Sequence, residues 1–206
     1  MDSFSIFNSQ FSIVNHRLMV YGAVHLTCSK NTRPLVKPDT IVLHYTAGKS
    51  ALSSAFYLCR PDVGASAHVV IGRDGKIVQL VPFNIEAWHA GRSYYRGRAE
   101  FNHFSIGIEL DNLGKLSRDG KRFVAECGAE VMPSDVYADD SGEKISYWHK
   151  YTDKQVHVLN EVCRSLVLEY PIYHILRHSD ITPRKIDPGP ALPDITLEDL
   201  LLGRSE

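Results

Sequence analysis

His44 lies near the end of the run Thr40-Ile41-Val42-Leu43-His44-Tyr45, and His178 opens a stretch that reaches Asp187. Two imidazoles and a carboxylate are donors of the kind that hold a mononuclear zinc, with a fourth position left open for water. Asp187 precedes Pro188, and with Pro183 and Pro190 nearby its carboxylate is restricted in where it can point. If the stretch is extended, Lys185 and Asp187 project to one side. With ten histidines and 24 acidic residues the chain offers other His/Asp sets as well. His174, four residues before His178, is one alternative donor, so spacing alone leaves the set open.

A rival chemistry would use a thiol. Cys28, Cys59, Cys127 and Cys163 are far apart and form no CxxC pair, which removes a thiolate zinc site and a thioredoxin-like motif. Buried free thiols are the expectation. A Cys/His nucleophile pair is the alternative, because such partners meet in space rather than in sequence.

The elements that must position these groups follow from periodicity. Residues 40–45 are β-branched and apolar, which suits a central strand buried on both faces, with His44 near its end. Ser50 can cap a short helix with Leu52, Ala55, Phe56 and Cys59 at helical spacing, closed by Pro61. Residues 67–71 and 77–81 read as paired strands around Gly72-Arg73-Asp74-Gly75. Residues 105–110 alternate, with Ile106, Ile108 and Leu110 on one face and Ser105, Gly107 and Glu109 on the other. Residues 117–150 are polar and read as a long irregular connection, of the kind that rims sites. Thr152-Asp153-Lys154-Gln155 is a capping-box sequence opening a helix with Val156, Leu159, Cys163, Leu166 and Tyr170 as its stripe. His157 falls off that stripe. Residues 173–178 are short and extended in character. Strands mixed with helices in this way predict an α/β (α+β) domain, one mixed sheet with helices on its faces.

At 206 residues and 44% hydrophobic, the chain can bury one core without disulfides. The formal net charge of -1, with no long Lys/Arg block, argues against a nucleic-acid partner. No apolar run is long enough to span a bilayer, and the start Met-Asp-Ser lacks a secretory pattern, so the expectation is no membrane insertion and a cytoplasmic protein as synthesised.

Five segments carry a specific resemblance: Ile41 to Gly48, Ser66 to Gly75, Ala87-Trp88-His89-Ala90-Gly91, Ser105 to Leu110, and His178 to Pro190. In order, from about residue 36 to about residue 193, they resemble the N-acetylmuramoyl-L-alanine amidase type 2 family. That family includes anhydromuropeptide-recycling amidases, phage endolysins and animal peptidoglycan-recognition proteins. The resemblance implies a single amidase domain over residues 36–206 with an N-terminal extension and first strand or strands over 1–35. It implies Zn2+ on His44, His178 and Asp187, with Glu109 as general base and Lys185 as a catalytic cation. The implied reaction is hydrolysis of the amide between the lactyl group of N-acetylmuramic acid and L-alanine, in peptidoglycan or muropeptides. A cytosolic protein would need release or injection to reach a cell wall. His68, Trp88 and His89 in the matched segments, and Asn102 between two of them, are candidates for the substrate groove, while His89 could equally be a buried hydrogen-bonding residue. Two departures stand out. Pro183 runs straight into Arg184, one residue short of the family's usual loop, and Ala67 stands where some phage members have a tyrosine. Those members lack the glutamate, so this chain follows the glutamate solution. The alternative function is a peptidoglycan-binding module of the same fold that does not cut. Such modules have usually lost a ligand, whereas all three ligand positions are filled here.

Overall fold

The run at residues 40–45 is apolar on both sides of the pleat, so it is stable only with strands at both edges and cover on both faces. It has both in the computed structural model, which describes residues 11–202. Thr40–Tyr45 lies between His174–Arg177 and Ser105–Leu110, parallel to each. Val69–Ile71 continues the sheet in parallel beside Ser105–Leu110. Ile77–Gln79 returns antiparallel, and Val24–His25 closes the mixed six-stranded sheet. The hairpin between residues 71 and 77 turns where expected, with Gly75 at φ +78° and Gly72 N–H donating to Lys76 O.

One face of the sheet packs Ile41, Leu43, Val69, Ile71, Ile106, Ile108 and Leu110 against the helix Asp153–Glu169. Thr152 caps that helix by accepting from Gln155 N–H at 3.1 Å. The reciprocal half of the expected capping box is absent. The fully buried Gln155 amide instead donates to Ile71 O and Asp111 O, tying the helix start to the strand ends. The buried stripe is Val158, Leu159, Val162, Cys163 and Leu166, rotated from the expected one, with Val156 only partly buried. Leu159 has no exposed surface. Leu159→Ala is expected to cost about 2–5 kcal/mol, read as a lower urea midpoint at unchanged slope.

The other face is covered by the helix Ala51–Cys59, capped by Ser50 as expected. Here the expected apolar face is corrected: Ser54, Ala55 and Leu58 are buried, whereas Leu52 and Phe56 are exposed. Neighbouring elements decide which arc of so short a helix is covered, and its composition is too uniformly apolar to signal it.

The irregular connection expected over residues 117–150 is also corrected. Lys115–Asp119, Arg122–Ala125, Glu130–Val131, Val136–Asp139 and Ser146–His149 form a five-stranded antiparallel sheet around Leu116, Ala125 and Val131. Its strands bury so few residues each that alternation is nearly invisible in the sequence. Of the expected extension at the N-terminus, residues 1–10 lie outside the described ones. Ser12–Val14 and Arg17–Met19 form a hairpin that sends Leu18 into the main core. Among the described residues, no helix is long and apolar enough to cross a membrane.

Candidate metal centre

Three neighbouring parallel strands deliver their C-terminal ends to one place, where open α/β sheets bind ligands. Arg177 pairs with Leu43, so His178 follows immediately past one strand end. His44 and Glu109 are direct partners on the other two strands. Both point away from the face that packs on the long helix, since Leu43 and Ile108 occupy that side. The loop after His178 then folds back, and Ser179 N–H donates to Asp187 O at 3.0 Å.

His44, His178 and Asp187 are all buried, and the structure brings their donor atoms together. His44 Nδ1 lies 3.0 Å from His178 Nδ1 and 3.0 Å from Asp187 Oδ2. His178 Nδ1 is 2.9 Å from the same oxygen. Three lone-pair atoms so close repel one another unless they share a positive charge. Two nitrogens and one carboxylate oxygen are a donor set that suits a zinc ion. The protonation states agree. Burial pushes the His44 imidazole down to about 4, so it is neutral at pH 7. Burial opposes ionisation of Asp187, yet the adjoining His178 and His44 imidazoles hold its carboxyl well below the usual carboxylate range.

Glu109 sits beside this set with Oε2 closed off from water and without a partner. Burial first, and then the charge of Asp187, push its carboxyl up to about 8, while Lys185 pulls it down. Glu109 borders a cavity of about 290 Å³ shared with Thr46, Gly48 and residues of the helix Ala51–Cys59. Lys185 is exposed on the loop, after a turn closed by its own N–H on Thr182 O.

The four groove candidates separate. Trp88 is exposed, with Lys30 Nζ 5.7 Å from its ring centroid. His68 is corrected: it has no exposed surface, accepts from Gly107 N–H and faces Ile85 O, so it is a core histidine. His89 is also buried, behind His44 rather than in a groove. Asn102 spends its Oδ1 on the N–H groups of His89 and Ala90. His174 stays in its strand, edge-on to Tyr95, and His157 is exposed. The cysteines are free, Cys28 and Cys163 buried, Cys59 partly buried and Cys127 exposed. Burial pushes the Cys59 and Cys163 thiols up to about 12 and raises Cys28, the opposite of an activated nucleophile.

Sequence reasoning missed the braces of the metal loop. Arg177 donates to Gly189 O, Leu192 O and Asp194. Tyr151 hydroxyl donates to Pro188 O at 2.7 Å. Trp148, from the five-stranded sheet, lies so close over Gly189 that a Cβ there would sit 2.6 Å from its ring. None of these braces had a local signal, since each joins residues from different elements.

A mixed sheet whose parallel strand ends bring together a His-His-Asp set able to hold a metal ion, beside a glutamate whose Oε2 is closed off from water and unpartnered, defines the class of this domain. The chain belongs to the N-acetylmuramoyl-L-alanine amidase family, whose profile matches residues 33–190. It is 40% identical over 129 residues to the 1,6-anhydro-N-acetylmuramyl-L-alanine amidase AmpD of Salmonella typhimurium strain LT2, covering 61% of this chain and 51% of that protein. The chain thus spans about half the length of the curated relatives it matches. The crystal structure of a selenomethionine derivative of AmpD superposes with a TM-score of 0.62 at 28% identity, over 88% of this chain and 94% of that one. The Escherichia coli amidase AmiD, in complex with its substrate anhydro-N-acetylmuramic acid-L-Ala-D-gamma-Glu-L-Lys, superposes at 0.58 and 29% identity, over 83% of this chain and 58% of that one.

Proposed function

We propose that this domain hydrolyses the amide between the lactyl group of N-acetylmuramic acid and L-alanine, in muropeptides or peptidoglycan, with Zn2+ held by His44, His178 and Asp187. The observation that carries the reading is the Glu109 carboxyl, whose Oε2 is closed off from water and unpartnered, on the strand beside His44. Such a group is costly to the fold and has no structural partner to account for it. The names of the AmpD and AmiD relatives support the substrate class.

His44, His178 and Asp187 would hold a zinc ion, which would supply Lewis acidity toward water and the scissile carbonyl. Glu109 takes the proton from the attacking water as its oxygen bonds to the carbonyl carbon. It then gives that proton to the L-alanine nitrogen as the C–N bond breaks. A carboxyl pushed up to about 8 is suited to carry a proton near neutrality, and a cation held by His44, His178 and Asp187 would favour its ionised form. Lys185 sits on the loop rim, where its charge already favours the anionic form of Glu109, and it would also favour an oxyanion on the carbonyl. Trp88 offers an exposed aromatic face to the sugar or peptide.

The zinc-loaded protein, incubated with soluble anhydromuropeptide and with intact sacculi, is expected to release free stem peptide, detected by mass spectrometry, and to stop on chelation. Tight binding of the muropeptide with no peptide released would replace this reading with that of a binding module. Preference for the soluble fragments would place the activity in wall recycling rather than lysis.

A further inference from the structure

His89 is a buried ring that the proposed reaction does not use. It lies against the back of His44, with His44 Nε2 3.0 Å from His89 Nδ1 and the ring planes 79° apart. Its other nitrogen, Nε2, faces Ser105 O at 3.4 Å and Ser105 Oγ at 3.2 Å. The Ser105 hydroxyl spends its own proton on Phe101 O, at 2.5 Å.

These partners give the chain of hydrogen bonds one direction. A carbonyl oxygen only accepts, and the Ser105 hydroxyl, having donated, can only accept as well. The His89 proton therefore sits on Nε2, which leaves Nδ1 as an acceptor. That acceptor takes the Nε2 proton of His44 and leaves the His44 Nδ1 lone pair free on the side facing His178 and Asp187.

The ring has been given a fitted place. Gly107 has no side chain to obstruct it, and a Cβ there would lie 2.3 Å from His89 Cγ. The Asn102 carbonyl oxygen holds the backbone on either side, accepting from His89 N–H at 3.0 Å and Ala90 N–H at 2.8 Å.

We infer that His89 is a positioning residue, which holds His44 in the tautomer that presents Nδ1 to a metal ion and thereby sets the metal affinity of the site. This rests on the metal reading above for its consequence, and on the hydrogen-bond geometry alone for the tautomer.

Two variants of nearly equal shape test it. In His89→Asn the amide oxygen can stand where Nδ1 stood and still accept, whereas His89→Leu removes the acceptor. Zn2+ affinity, measured by competition with a chromophoric chelator, is expected to fall about 10–100-fold in H89L, as for other losses of a metal ligand's hydrogen-bond partner, and to stay within about 3-fold of the parent in H89N. A merely structural role would weaken both alike. In the metal-free parent, nitrogen-15 NMR of the histidines is expected to show His44 protonated on Nε2, and a mixture of tautomers in H89L. Equal zinc affinity in H89L and the parent, or equal losses in H89L and H89N, would overturn the inference, as would a parent His44 protonated on Nδ1. A parent that binds no zinc overturns the metal reading instead, while the metal-free spectrum still judges the tautomer.

Discussion

Glu109→Gln is expected to lower turnover by about 10²–10⁴-fold, the usual cost of losing a general acid–base group, with Zn2+ affinity nearly unchanged. The amide keeps the shape and still borders the cavity beside Thr46 and Gly48 but cannot shuttle a proton. The same change is expected to stabilise the metal-free protein. Glu109 is raised from an ordinary 4.5 to about 8 in the fold, chiefly by burial. Between those values the folded protein holds a proton that the unfolded chain has released, so stability falls as pH rises through that window. Glutamine carries no such penalty. Its advantage should be small at pH 4.5 and grow to a few kcal/mol by pH 8. Urea unfolding of both proteins at the two pH values reads the difference. A gap that is constant or narrows with pH would mean that the carboxyl is not held in an uncharged site. Loss of zinc in the variant would move Glu109 from the acid–base role to that of a ligand.

His178→Ala should abolish activity by a different route. It removes one of three donors and one of the two imidazoles that adjoin Asp187 and favour its ionised form. Metal affinity should collapse, and with it the stability that metal binding gives the fold. At zinc concentrations about 1,000 times the dissociation constant that contribution is about 4 kcal/mol. The parent should therefore melt at a higher temperature with zinc than without, and H178A at the same temperature in both. An equal zinc-induced shift in H178A would show that the ion sits elsewhere.

The elements that could be read from the chain are those whose signal is local. The strand Thr40–Tyr45 that carries His44, the hairpin at Gly72 to Gly75, and the alternation that turns Glu109 away from Ile108 and Leu110 depend on residues a few positions apart. The N-caps at Ser50 and Thr152 do as well, and all are present. The long helix was legible in extent but not in rotation, because its buried arc depends on which strands Val158 and Val162 meet. The five-stranded sheet over residues 115–149 was hidden because each strand places few side chains inside.

The candidate site divides along the same line. Residue types and the family resemblance singled out His44, His178, Asp187, Glu109 and Lys185 without coordinates, since motif order survives in sequence. Only the tertiary structure decided that His44 and Glu109 are register partners, that Arg177, Tyr151 and Trp148 brace the loop of Asp187, and that His89 backs His44 while His68 lies in the core. Those facts depend on pairings between residues tens of positions apart. Such pairings are selected by the burial of whole sheet faces, and the space beside a glycine such as Gly107 can admit a distant ring that no local pattern foretells.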